Sequence, residues 1–121
     1  MRKLEDNNGK ILIYQNEKGD TKIDVFFAND DIWLTQKALM ELYQVSKGSI
    51  SEHIKNIFED GELTEEATVR NFRTVQREGG RDVTRELTHY NFQMVLAIGY
   101  RVRSRIGMHF RRWASHILTE Y

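Results

Sequence analysis

The sequence predicts an α+β fold: a small N-terminal antiparallel sheet, a helix-turn-helix, a β-hairpin and two C-terminal helices. Three observations predict it. Ile23, Val25 and Phe27 alternate in strand period. Apolar residues then recur at helical spacing from Leu39 to Phe58. Downstream, Gly79-Gly80 separates two further alternating segments, a strong hairpin signal. At 121 residues the chain suits a single domain over 1–121 with a modest core.

Each element has its own signal. Ile11-Leu12-Ile13-Tyr14 follows the Asn7-Asn8-Gly9 turn signal and reads as the first strand. Gly19-Asp20 turns the chain into the Thr21–Phe27 strand, and Asn29-Asp30-Asp31 into a short third strand, Ile32-Trp33-Leu34. Thr35 offers a hydroxyl to an orphan amide, so a helix begins there, with Leu39, Leu42 and Tyr43 facing inward. Ser46 caps the next helix, whose Ile50, Ile54, Ile57 and Phe58 point to the core, and Asp60-Gly61 ends it. The helix-turn-helix thus spans about 35–58 and the hairpin about 68–88, with strand character from Ala67 onward. Asn91 caps a helix of about 91–101 bearing Met94, Val95, Ile98 and Tyr100, weakened near its end by Gly99. Ser104 caps the last, about 104–120, lined by Ile106, Phe110, Trp113, Ile117 and Leu118.

Composition narrows the function classes. With no Cys there is neither a disulfide framework nor a thiolate metal site, which suits a reducing cytoplasm. No apolar run approaches the roughly 20 residues of a membrane span, and the opening Met-Arg-Lys-Leu-Glu-Asp is no signal peptide. The zero formal charge conceals a division. Residues 1–69 hold 8 Lys/Arg against 14 Asp/Glu, whereas residues 70–112 hold 10 Arg against 3 acids. Guanidinium groups bind phosphate through a rigid donor fork, so the second half is a candidate anion surface. The same arginines could instead pair with the acidic half.

The helix-turn-helix points to DNA. A helix that enters the major groove presents small and polar residues at its first turn. Here those are Lys47, Gly48, Ser49, Glu52 and His53, the expected base-reading set. Gln36, Ser46, Ser51 and Lys55 are expected at phosphates, together with Arg73, Arg77 and Arg81 of the hairpin and Arg103, Arg105 and Arg112 beyond it. A plain helical hairpin with a solvated polar face is the alternative. Three residues depart from the usual pattern. Met40 stands where a small residue is common, Gln44 where the turn favours Gly, and Glu52 is an acid on a face meant for phosphates. Glu52 fits only if it accepts from a cytosine amino group.

Enzyme chemistry finds little support. His53, His89, His109 and His116 show no metal spacing, and no carboxylate accompanies His109 and His116 closely. No Gly-x-Ser-x-Gly occurs, and Gly79-Gly80 lacks the Lys-Ser/Thr of a phosphate loop. No enzyme activity, metal or cofactor is therefore expected.

Several longer stretches carry a resemblance. They are Ile32-Trp33-Leu34-Thr35-Gln36, Ser49 to Phe58, Gly61-Glu62-Leu63 and His89-Tyr90-Asn91-Phe92. Then follow Ala97-Ile98-Gly99-Tyr100-Arg101-Val102-Arg103-Ser104, Phe110-Arg111-Arg112-Trp113-Ala114 and Ile117-Leu118. Together they resemble the RhuM family of bacterial virulence-associated proteins over most of residues 24–121. The order of elements is also similar to the N-terminal domains of phage antirepressors and viral BRO proteins. The resemblance implies a bacterial, cytoplasmic, sequence-specific double-stranded DNA-binding domain in a regulatory, prophage or virulence setting. It also implies that relatives continue past such a domain, some into a Fic-type domain whose Pro-containing signature is impossible in a chain without Pro. Within its frame Arg101 and Arg111 are expected to pair internally and to orient the last two helices. Arg103, Arg105 and Arg112 are expected to face a ligand. A homodimer joined through the last helix is expected, because a near-neutral chain gains little from long-range attraction. The rival reading is a protein-interaction module that recruits a partner to a toxin or defence system, with the helix-turn-helix only a scaffold.

Overall fold

The computed structural model describes residues 9–16, 18–102 and 105–120. Five strands, β1 (Lys10–Gln15), β2 (Lys22–Ala28), β3 (Asp31–Thr35), β4 (Val69–Glu78) and β5 (Arg81–Asn91), form one antiparallel sheet in the order β1-β2-β3-β5-β4. The helices are α1 (Gln36–Tyr43), α2 (Lys47–Glu59), a single turn α3 (Glu65–Thr68), α4 (Phe92–Val102) and α5 (Arg105–Glu120). The α+β class and the order of elements follow the sequence.

Turn chemistry sets the hairpins. Asn29 and Asp30 both have positive φ, 55° and 58°, as do Gly79 and Gly80 at 58° and 82°. Two successive left-handed residues twist a two-residue turn in the sense the strands require, and Asn, Asp and Gly tolerate that region best.

Two boundaries differ from the sequence reading. The sequence reading ends the hairpin at about residue 88 and names it separately from the N-terminal sheet; in the structure β5 runs on through Asn91 and pairs with β3: Trp33 opposite Asn91, Leu34 opposite Tyr90, Thr35 opposite His89. The two sheets are one. The hairpin also begins later, because Thr64 caps α3 by accepting from the Ala67 amide at 3.3 Å while Thr68 Oγ1 donates to the Thr64 carbonyl at 2.8 Å. Local hydroxyl bonds of this kind favour a turn over the ladder, so the strand waits until Val69. The Asn7-Asn8 turn signal and the Ser104 cap lie outside the described residues.

One sheet face carries the main core. Tyr14, Ile23, Val25, Ile32 and Leu34 project there and meet Leu39, Leu42, Ile50, Ile57, Met94, Ile98 and Phe110 of the helices, all essentially inaccessible to water. Burying such a side chain stabilises the fold by about 1.5–3 kcal/mol each. The opposite face holds a smaller cluster of Phe26, Ala28, Trp33 and Phe72, with His89 packed edge-on against Phe72 at 5.2 Å between ring centres.

Tyr43 locks α1 to the last two helices. Its ring lies beside Gly99 of α4 and Gly107 of α5, and its hydroxyl donates to the Val95 carbonyl at 2.7 Å. A Cβ on Gly99 would stand 2.7 Å from the Tyr43 hydroxyl oxygen. That oxygen is pinned by its hydrogen bond, so it cannot swing aside freely. Gly99→Ala is therefore expected to lower the unfolding free energy by roughly 1–3 kcal/mol in urea titrations, even though Ala is the better helix former.

His89 adds a pH dependence. It is 3% exposed, its Nδ1 lies 2.9 Å from the Leu87 carbonyl, and burial pushes its pKa below the ordinary 6.5. The unfolded chain thus takes up a proton before the folded one, so stability falls as pH drops through about 6.5 and is unaffected by this group above it. Thermal melts between about pH 7.5 and 5.5 should show the decline, and His89→Phe should flatten it.

Candidate nucleic-acid interface

The helix-turn-helix is built by two hydroxyl caps and one strained corner. Thr35 Oγ1 accepts from the Ala38 amide and Ser46 Oγ from the Ser49 amide, both at 3.1 Å, as the sequence predicts. Gln44 takes the left-handed corner at φ 57° and ψ 47°, the place where Gly would cost nothing. Its amide returns to the Glu41 carbonyl at 2.7 Å, which offsets part of that strain. Met40 is half-buried and packs against the core, so the pair of helices accommodates it without a small residue there. At the far end Gly61 has φ 74° and the Glu62 amide donates to the Ile57 carbonyl, closing α2.

Helical geometry decides which residues α2 presents. Ile50, Ile54 and Ile57 are buried, so at 100° per residue the opposite side is centred on Gly48, Glu52, Lys55 and Glu59, all exposed, with the exposed Ser51 to one side. Lys47 is exposed at one flank. Ser49 and His53 are half-buried at the other. Of the expected base-reading set, Gly48 and Glu52 thus stand at the centre; of those expected at phosphates, Lys55 joins them and Ser51 lies to one side. Gln36 braces this surface: its amide donates to Ser51 Oγ at 2.6 Å and to the Lys47 carbonyl at 3.4 Å. Because Ser51 accepts from Gln36, its own proton is left to donate outward.

The hairpin forms an arm beside α1. A cleft of about 910 Å³ separates them, lined on the arm by Arg73, Thr74, Val75 and Gln76 and on α1 by Gln36, Lys37 and Glu41. Not all arm arginines are equally available. Arg77 pairs with Asp82 at 3.0 Å and Arg85 forks onto Glu78 at 2.8 and 3.0 Å. Both pairs are exposed, so they hold their arginines only weakly. Arg81, at the turn, is exposed and has no ion-pair partner among the described residues. Arg73 faces Glu86 across the ladder.

Beyond the hairpin the assignments divide. Arg101 donates to Asp60 at 3.1 Å and Glu62 at 3.0 Å, tying α4 to the end of α2, and its structural role stands. Those carboxylates raise the Arg101 pKa further, hydrogen bonding to Glu62 first and to Asp60 second. Arg111 was expected to pair likewise. Instead it is exposed beside a groove of about 270 Å³ with Tyr43, Gly99, Tyr100 and Met108, without an ion-pair partner among the described residues. Arg105 and Arg112 are exposed on α5. Arg103 lies outside the described residues. Sequence reasoning missed the groove, whose signal is the pairing of Gly99 and Gly107 around one aromatic ring.

The Arg101 frame, with Phe110 and Ala114 buried behind it, is where the comparison with known families falls. Residues 67–121 match the model of the Virulence protein RhuM family. Over these residues the match supports the resemblance to the RhuM family read from the sequence. The RhuM match covers β4, β5, α4 and α5; α1 and α2 precede it. It does not show the likeness to antirepressor and BRO domains. No curated protein and no solved structure matches the chain. No helix among the described residues is long and apolar enough to cross a membrane.

Gly48 is the anomaly of this surface. A Cβ there would meet only Ser46 Oγ, at 3.9 Å, so packing does not require glycine. Gly48→Ala is expected to raise stability by about 0.5–1 kcal/mol in chemical denaturation. A loss of stability would mean that the first turn of α2 is held by something other than helix propensity.

Proposed function

We propose that this chain is a sequence-specific double-stranded DNA-binding domain that serves in transcriptional regulation. The observation that carries the reading is the outward face of α2. It combines a glycine that the fold does not need, a Ser51 hydroxyl that accepts from Gln36 and keeps its own proton to donate, Lys55 on the face and Lys47 at its flank. Such a face lets a helix backbone approach base edges while cations meet phosphates. The arm fits beside it, with Arg81 at its turn and Arg73 in the cleft next to Gln36. Arg105 and Arg112 supply further phosphate contacts. The protein acts in the bacterial cytoplasm as a homodimer that offers two such helices, and it performs no catalysis.

One observation favours a second reading, that of a protein-recruiting module. Tyr100 is 83% exposed and Met108 50% exposed, both beside Arg111 at the α4–α5 groove. Tyr, Met and Arg are residue types enriched at protein interfaces.

Salt separates the two readings. Each phosphate contact releases counterions, so about five contacts should weaken duplex binding by roughly 10²–10³-fold between about 50 and 200 mM salt. Fluorescence anisotropy with duplexes enriched from a random library measures this directly. Lys47→Ala and Arg81→Ala should each reduce the salt slope by about one. Absence of any duplex binding at low salt sinks the DNA reading and leaves the recruiting module.

A further inference from the structure

Glu52 occupies the middle of the outward α2 face, one turn beyond Gly48 and one turn before Lys55. It is exposed, and no ion pair joins it to Lys55 or to any other cation among the described residues. A bare carboxylate in this position repels phosphates, so in a DNA-binding face it weakens every complex unless a base donates to it. Bases offer such a donor in the major groove only as exocyclic amines, and Glu pairs with the cytosine amine. Lys55, one turn along, brings the complementary donor. A C·G pair displays that same combination on its major-groove edge: the cytosine amine as donor beside guanine O6 and N7 as acceptors. Gly48, with open space where a side chain would be, leaves room for the backbone at this level to come close.

Resting on the DNA reading above, we propose that Glu52 and Lys55 together read one C·G pair in each half-site. Glu52 accepts from the cytosine amine and Lys55 donates to the guanine, which makes Glu52 the main determinant of sequence preference. Glu52 also penalises non-specific complexes, because elsewhere on DNA its charge has only phosphates for company. It thereby sharpens the ratio of specific to non-specific binding and adds little affinity.

Selection from a random duplex library, run in parallel with the unaltered chain, Glu52→Gln, Glu52→Ala and Lys55→Ala, tests this. The unaltered chain should select cytosine at one fixed position of each half-site, by roughly 10- to 100-fold over other bases. Glu52→Gln should move that position toward adenine, since Gln pairs with adenine N6 and N7. Glu52→Ala should erase the preference there alone while binding random duplex several-fold more tightly. Lys55→Ala should relax the same pair and flatten the salt slope. A Glu52→Ala motif identical to that of the unaltered chain overturns the proposal and leaves DNA binding intact. No duplex enriched by any of the four proteins overturns both. All substitutions are at exposed positions, and far-ultraviolet circular dichroism confirms folding in each arm.

Discussion

Three facing residue pairs between β3 and β5 hold the two halves of this chain together: Trp33 with Asn91, Leu34 with Tyr90 and Thr35 with His89. Both major helical segments start from this short ladder. Thr35 ends β3 and caps α1, while Asn91 ends β5 and caps α4 by accepting from the Met94 amide at 3.2 Å. The other side of the Asn91 amide donates to Asp31 and to the Ala67 carbonyl, so one side chain joins β3, α3 and α4. Burial, the largest effect on Asp31, pushes its pKa up, and the amides around it oppose the rise. A slip of one residue in this register would turn Leu34 out of the core and misplace both caps together.

From that ladder the chain fixes α2 at both ends. Near its start, Tyr43 sits between two glycines of α4 and α5, with its pKa pushed far up by burial. Near its finish, Arg101 grips Asp60 and Glu62. Gly99, Gly107 and Arg101, on one side of these two contacts, lie in the stretch that matches the RhuM family, whereas Tyr43, Asp60, Glu62 and α2 itself precede it. The pair α4 and α5, with its small-residue crossing at Gly99 and Gly107, thus serves as a cradle for the helix-turn-helix. The base-reading role proposed for α2 depends on such a cradle, because a displacement of an ångström at a base edge costs a bidentate contact its geometry.

Local signals made much of this legible in the sequence. Turns at Asn29-Asp30 and Gly79-Gly80, caps at Thr35, Ser46 and Asn91, and the stop at Gly61 depend on a few adjacent residues whose preferences are strong. What escaped depends on partners distant along the chain. His89, Tyr90 and Asn91 look like a loop and a cap until β3 pairs with them. Arg101 and Arg111 look equivalent in sequence, yet two carboxylates from the end of α2 meet only the first. The division of α2 between Ser49 and Ser51 was similarly hidden, since both are serines in the same turn. In the folded chain Ser49 is half-buried, while Ser51 stays exposed and accepts from Gln36.

The same pairing logic explains how a chain with no net charge can still offer a basic surface. Its acids and arginines are not spread evenly; they cancel where they meet. Asp60 and Glu62 neutralise Arg101, Asp82 neutralises Arg77, and Glu78 neutralises Arg85. Lys47, Lys55, Arg81, Arg105 and Arg112 have no such partner among the described residues, so their field is local. A field of this kind decays within a Debye length of roughly 8 Å at physiological salt, so it acts at contact and gives little steering from afar. A surface that attracts weakly at long range and discriminates at contact gains affinity most readily by duplication. In the proposed DNA-binding role, two copies on one duplex would make the second contact intramolecular, and the short-range chemistry of α2 would then count twice.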